Sequence, residues 1–145
     1  MPKVLIAYHS FTGKTKSLAE AAAEGARSAG AEVTLLPASE ASVEAVAASD
    51  VLLVATPQTF GSLAGETKKL FERLWLAKDE LGSETGFASI ICHSQEPAAT
   101  RELFAALPGY FGFATLQPPL LVSAAEIEAG QEQARALGVA LATAR

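Results

Sequence analysis

Short apolar runs alternate with amphipathic ones along the whole chain, and this alternation restricts the fold more than any other feature. Lys3-Val4-Leu5-Ile6-Ala7-Tyr8, Val51-Leu52-Leu53-Val54-Ala55 and Gly86-Phe87-Ala88-Ser89-Ile90-Ile91-Cys92 are brief, apolar and partly β-branched. Such runs are expected of strands buried on both faces of a parallel sheet. Glu32-Val33-Thr34-Leu35-Leu36 reads as another strand, ending at Pro37, and residues 112–122 hold the last, interrupted by Pro118-Pro119. Between the strands lie helix signals. Leu18, Ala22 and Ala26 recur at four-residue spacing, and Ser42 caps a short segment with Val43, Val46 and Ala47 on one side. Leu63, Thr67, Leu70, Phe71, Leu74 and Trp75 form the longest apolar stripe, in which Phe71 and Trp75 read as core or subunit contacts. Pro97 opens a helix whose Ala99, Leu103 and Leu107 are expected to face the sheet. Ser123-x-x-Glu126 reads as a capping box before a final helix bearing Ile127, Ala134 and Leu141. Five strands alternating with five helices make an α/β fold, a doubly wound parallel sheet with right-handed crossovers and helices on both faces. Ligands of such sheets bind beyond the carboxyl ends of the strands where strand order reverses, so the turns after the first, third and fourth strands are expected to meet.

Composition narrows the function. At 145 residues, half of them hydrophobic, the chain suits one domain over residues 1–145. No run approaches the roughly 18 apolar residues that span a bilayer, and Met1-Pro2-Lys3-Val4 leads straight into a strand. A cytoplasmic protein without membrane contact is the expectation. The net charge of -5 and pI near 5.0, with no basic run, disfavour nucleic acid. His9, His93 and the single Cys92 form no cluster with ligand spacing, so no metal is expected, and Cys92 reads as a buried thiol.

The turn after the first strand, Ser10-Phe11-Thr12-Gly13-Lys14-Thr15, consists of residues suited to an anion. A phosphate there would meet the unpaired N–H groups and positive dipole end of the following helix, with hydroxyls from Ser10, Thr12 and Thr15 and a close backbone approach at Gly13. An ordinary strand-to-helix turn, with Ser10 or Thr12 as N-cap, uses the same residues. Gly13-Lys14-Thr15 ends like a nucleoside-triphosphate loop, but Tyr8 stands where that motif needs glycine, and the dinucleotide glycine pattern is missing too. The pattern that remains, Ser/Thr-x-Thr-Gly-x-Thr after a first strand, resembles the FMN-phosphate loop of the flavodoxin-like superfamily, matched at Ser10, Thr12, Gly13 and Thr15.

The turn after the third strand, Thr56-Pro57-Gln58-Thr59-Phe60-Gly61, is similar to the Thr-Pro-x-x-Phe-Gly loop of the NAD(P)H:quinone oxidoreductase branch of that superfamily. Residues 75–86 loosely resemble that branch's stretch before strand four. The resemblance implies a flavodoxin-like five-stranded sheet of order 2-1-3-4-5, FMN as cofactor, and Phe60 as an aromatic edge or face for the isoalloxazine ring. Its other reading is a hydrophobic staple beneath the next helix. His93, Ser94 and Gln95, after the fourth strand, complete the candidate flavin site. Here the chain departs from the branch, which usually carries a His-Gly-Gly insertion, and from flavodoxins, which usually carry an aromatic that covers the ring.

The implied activity is transfer of electrons from NAD(P)H through FMN to a quinone or another small acceptor, with no catalytic side chain because the flavin carries the chemistry. The alternatives are a flavodoxin-type carrier that docks to redox proteins and a flavin-free binding module. The uncovered third turn, and Lys14, Lys16, Lys68 and Lys69 near the expected rim, favour the enzyme. A homo-oligomer is compatible with either. A response regulator is disfavoured, since no acid pair follows the first strand.

Overall fold

The computed structural model describes residues 1–82 and 84–144. Its elements follow the alternation: β1 (Lys3–Tyr8), α1 (Lys14–Ser28), β2 (Glu32–Pro37), α2 (Val43–Ala47), β3 (Val51–Thr59), β4 (Ser62–Leu63), α3 (Gly65–Leu76), β5 (Gly86–His93), α4 (Ala98–Phe111), β6 (Ala114–Thr115), β7 (Leu120–Ser123) and α5 (Ile127–Thr143). Single 3-10 turns cover Ala38–Glu40 and Lys78–Glu80. The sheet runs β2-β1-β3-β5, with β6 and β7 both against β5 and β4 folded back on β3. Counting β6 and β7 as one interrupted strand, and setting aside the two-residue β4, the order is the expected 2-1-3-4-5.

Alternation within the strands explains the two layers. Val4, Ile6, Val51 and Leu53 join a core built with Leu18 and Ala22 of α1 and with Leu137 and Leu141 of α5. Leu5, Ala7, Leu52 and Val54 join the opposite core with Leu70, Phe71 and Leu74 of α3 and Phe104 and Phe111 of α4. Successive side chains point to opposite faces, so an uninterrupted apolar run is what a strand covered twice requires. α1 and α5 cross closely. A Cβ on Gly25 would overlap the Arg135 carbonyl, and one on Gly138 the Ala22 carbonyl.

Several local expectations change. β3 continues four residues past Ala55, because Thr56 and Pro57 still pair with Ile91 and Cys92 and the next residues pair with β4. Leu63 therefore belongs to a strand, and α3 begins at Gly65. Trp75 is 48% exposed and is no core residue. On α4 the buried row is Thr100, Phe104, Pro108 and Phe111, while Ala99 is exposed and Leu103 and Leu107 flank it. The aromatic rings set that face, one residue along from the expected stripe. No capping box forms at Ser123. That residue is paired with His93 in the sheet, its hydroxyl accepts from Ala125 N at 3.3 Å, and α5 starts only at Ile127. Ser42 does cap α2, accepting from Ala45 N at 3.1 Å. Ser83, within the stretch 75–86, and Arg145 of the expected 1–145 domain lie outside the described residues. Among the described residues, no helix is long and apolar enough to cross a membrane.

Candidate functional site

Strand order reverses between β1 and its neighbours β2 and β3, and the turns leaving β1, β3 and β5 share the carboxyl edge of the sheet. Each is tied to the next. His9 N donates to Ala55 O at 3.1 Å, and Pro57 is in register with Cys92. A fourth turn, between β7 and α5, joins them: Ala124 N donates to His93 O at 2.8 Å, and Lys14 Nζ to Ala124 O at 3.1 Å. The sequence offered no signal for Ala124, because a backbone carbonyl leaves none.

The first turn is built around Gly13, whose φ of 96° lies in the left-handed region that favours glycine. Gly13 N donates to Ser10 Oγ at 3.0 Å, which closes the turn, and α1 begins at Lys14. Gly13, not Ser10 or Thr12, is the residue before the helix. The first helical bond runs from Ser17 N to Gly13 O, so the N–H groups of Lys14, Thr15 and Lys16 have no partner inside the helix. No acidic residue occupies the first turn. Phe11 and Thr12 are exposed, while Thr15 is buried against Cys92. Burial pushes the Cys92 thiol above its ordinary range, opposed by a hydrogen bond with Thr15 and by the Lys14 ammonium. An anion placed here would meet oriented donors and a helix dipole with no competing carboxylate.

The second turn is a hairpin. Gln58 and Thr59 pair with Leu63 and Ser62, and Phe60 (φ 51°) and Gly61 (φ 72°) form its two-residue tip. Two positive φ angles match the twist of a tight hairpin, but the first is usually taken by Asn, Asp or Gly. Phe60 is the only non-glycine residue with positive φ among the described residues, and its side chain is wholly in solvent. It is not a staple beneath α3. Thr56 faces inward: its hydroxyl donates to Pro57 O at 2.9 Å and accepts from Thr67 Oγ1 at 2.8 Å and from Ala64 N at 3.4 Å, which fastens the hairpin to α3.

In the third turn Ser94 and Gln95 are exposed. His93 Nδ1 lies 3.0 Å from Gln95 O, and a carbonyl only accepts, so Nδ1 carries the proton and Nε2 is the acceptor in the neutral ring. Gln58 reaches across, with Nε2 3.2 Å from Glu96 O and Oε1 accepting from Thr100 Oγ1 at 2.5 Å. Nothing in the sequence linked Gln58 to Thr100. The amides and hydroxyls of Gln58 and Thr56 are thus spent within the protein, while Ser10 to Lys14 and Thr59 to Gly61 remain at the surface. Two lysines expected near the rim lie on α3, just after the hairpin. Lys69 pairs with Glu66 at 3.6 Å, and Lys68 lines a groove of about 590 Å³ between α3 and α4, with Trp75, Leu103 and Tyr110.

A model of the flavodoxin family matches residues 6–138, which takes in all four turns. The chain belongs to the flavodoxin family. Over 73 residues it is 44% identical to a flavodoxin of Aquifex aeolicus, covering 50% of this chain and 40% of that one. Over 136 residues it is 29% identical to an NAD(P)H dehydrogenase (quinone) of Cupriavidus metallidurans, covering 78% of this chain and 68% of that one. This flavodoxin-family chain spans 40% to 61% of the first three curated relatives it matches. Among solved structures, the flavodoxin, WrbA-like protein of Agrobacterium tumefaciens superimposes with a TM-score of 0.78 at 21% identity, over 98% of this chain and 96% of that one. That likeness establishes the flavodoxin fold.

Proposed function

We propose that residues 1–145 form a single FMN-binding domain that passes electrons from NAD(P)H to a quinone or another small acceptor. The observation that carries this reading is Phe60, an aromatic residue held in the left-handed region with its ring in solvent, at the same sheet edge as a helix N-terminus clear of carboxylates. Strain of that kind persists where the surrounding structure enforces it and clusters at ligand clamps. Ser10, Thr12, Gly13 and Thr15, with the N–H groups opening α1, would hold the FMN phosphate. Thr59, Phe60 and Gly61 would border the ring on one side, and His93, Ser94 and Gln95 on the other. When bound, FMN supplies the electron chemistry by accepting and releasing two electrons. The protein's part is to bind, orient and admit.

The enzyme reading is supported by the absence of an aromatic side chain in residues 94–97 and by the NAD(P)H dehydrogenases (quinone) among the relatives. A carrier that receives electrons from a redox protein is the second reading, favoured by the match to the Aquifex flavodoxin. A cytoplasmic setting suits both, since a lone buried thiol fits a reducing compartment.

The protein is incubated with FMN, freed of excess and mixed anaerobically with NADH or NADPH, then with a small quinone, while flavin absorbance is followed. Bleaching by a nicotinamide and repeated reoxidation by quinone are the expected results. A flavin indifferent to both nicotinamides, yet reduced rapidly by a reductase protein, makes the chain a carrier. Failure to retain any flavin leaves a flavin-free binding module.

A further inference from the structure

Gln58 joins two turns that the sequence leaves 37 and 38 positions apart. Its Nε2 lies 3.4 Å from Gln95 O and 3.2 Å from Glu96 O, and its Oε1 accepts from Thr100 Oγ1 at 2.5 Å. Because carbonyls only accept, this is the one amide orientation that satisfies every partner. Thr100 is fully buried in the first turn of α4, so its hydroxyl is held at the inner end of a contact whose Gln58 side is half-buried. The third turn has no glycine, no aromatic lid and an internal tie from His93 Nδ1 to Gln95 O. Its tie to the hairpin is Gln58.

We propose that Gln58 and Thr100 are the positioning residues of the flavin site, a strut that sets the gap between the Phe60–Gly61 tip and the Ser94–Gln95 turn. This rests on the FMN reading. In a chain whose third turn has no covering insertion, the width of the ring slot is fixed from beneath by a side chain of β3. Either end of the strut fails if its partner is removed: Gln58→Leu leaves the Thr100 hydroxyl buried and unpaired, and Thr100→Val leaves Gln58 Oε1 unpaired. No bond of Gln58 reaches the phosphate turn, so a broken strut changes how the ring is held and leaves the phosphate cradle intact.

The test is fluorescence titration of the whole chain with FMN and with riboflavin, which shares the ring and lacks the phosphate. Gln58→Leu and Thr100→Val each weaken both ligands on the order of ten-fold, with the ratio of FMN to riboflavin affinity unchanged. The double variant is no weaker than either single one, and Thr100→Ser, which keeps the hydroxyl, restores binding. In the flavin-free protein, hydrogen exchange at amides 94–96 is faster in both single variants. Unchanged affinity with unchanged exchange, or losses that add in the double variant, overturns the strut while the FMN reading stands. A wild-type protein that takes up no flavin overturns the FMN reading and the strut's role with it. Thermal melts of each variant establish that it is folded.

Discussion

Replacing Phe60 with glycine separates what the residue costs the protein from what it does for a ligand. The side chain is fully exposed, so its removal sacrifices no buried surface in the flavin-free protein. At φ 51° it occupies a conformation that costs an L-residue about 1–2 kcal/mol. Glycine removes that strain, but its more flexible unfolded chain returns about 0.4–1 kcal/mol of it. The net effect is a gain of about 0.5–1 kcal/mol, which for a chain of this size raises Tm by about 2 °C. Flavin binding moves the other way. If the ring buries half of its surface against FMN, about 100 Å², the loss is about 2.5 kcal/mol at 25 cal/mol per Å², or roughly 70-fold in Kd. Thermal melts of the flavin-free protein and quenching of FMN fluorescence measure the two effects separately. A lowered Tm would show that Phe60 is unstrained or packed, and an unchanged FMN affinity in a folded Phe60→Gly protein would refute its role at the ring.

Three further perturbations test other parts of the structure. Thr12→Asp sets a carboxylate among the donors of the first turn, and should abolish FMN binding while leaving the melt nearly unchanged, since Thr12 is exposed; retained affinity would move the phosphate elsewhere. Gly25→Ala should destabilise by about 1–3 kcal/mol, because the new methyl overlaps the Arg135 carbonyl, whereas Gly109→Ala on α4 meets open space and should stabilise by about 0.5–1 kcal/mol; urea melts that give the two changes the same sign would contradict the packing described for α1 and α5. The Cys92 thiol is held protonated in the fold beyond its ordinary range, so the unfolded chain releases the proton first. Stability is therefore fully present below about pH 8.5 and declines as pH rises from there toward the folded pKa. Cys92→Ala should flatten that part of the stability curve, as read from denaturant melts between neutral and alkaline pH.

The layers were legible in the sequence for one physical reason, whereas the sheet order was implied by the resemblance to the flavodoxin-like superfamily. A strand covered on both faces must be apolar along its covered length, and residues 4–7 of β1, 51–55 of β3 and, apart from Ser89, 87–92 of β5 are. The α4 face was misread because Leu103 and Leu107 are obvious apolar residues, whereas Thr100 and Pro108, which share the buried row with Phe104 and Phe111, are not. Ser123 carried the spacing of a cap but was already committed to the ladder with His93. At the sheet edge, topology alone brought the turns after β1, β3 and β5 together. What each side chain does there was hidden, because the inward bonds of Thr56 and the bridge from Gln58 to Gln95, Glu96 and Thr100 depend on distances that no local pattern encodes.

The interruption between β6 and β7 gives the sheet an unusual border. On that flank the outermost strand is only two residues, then four, separated by a detour through Pro118 and Pro119. Prolines supply no N–H to an incoming strand, and so short a ladder offers little for another chain to copy. Both features disfavour edge-to-edge pairing on that flank. The detour also makes the exposed residues Gln117 and Pro118 a place where the chain could be lengthened or joined to another module, with the carboxyl edge and its turns left undisturbed.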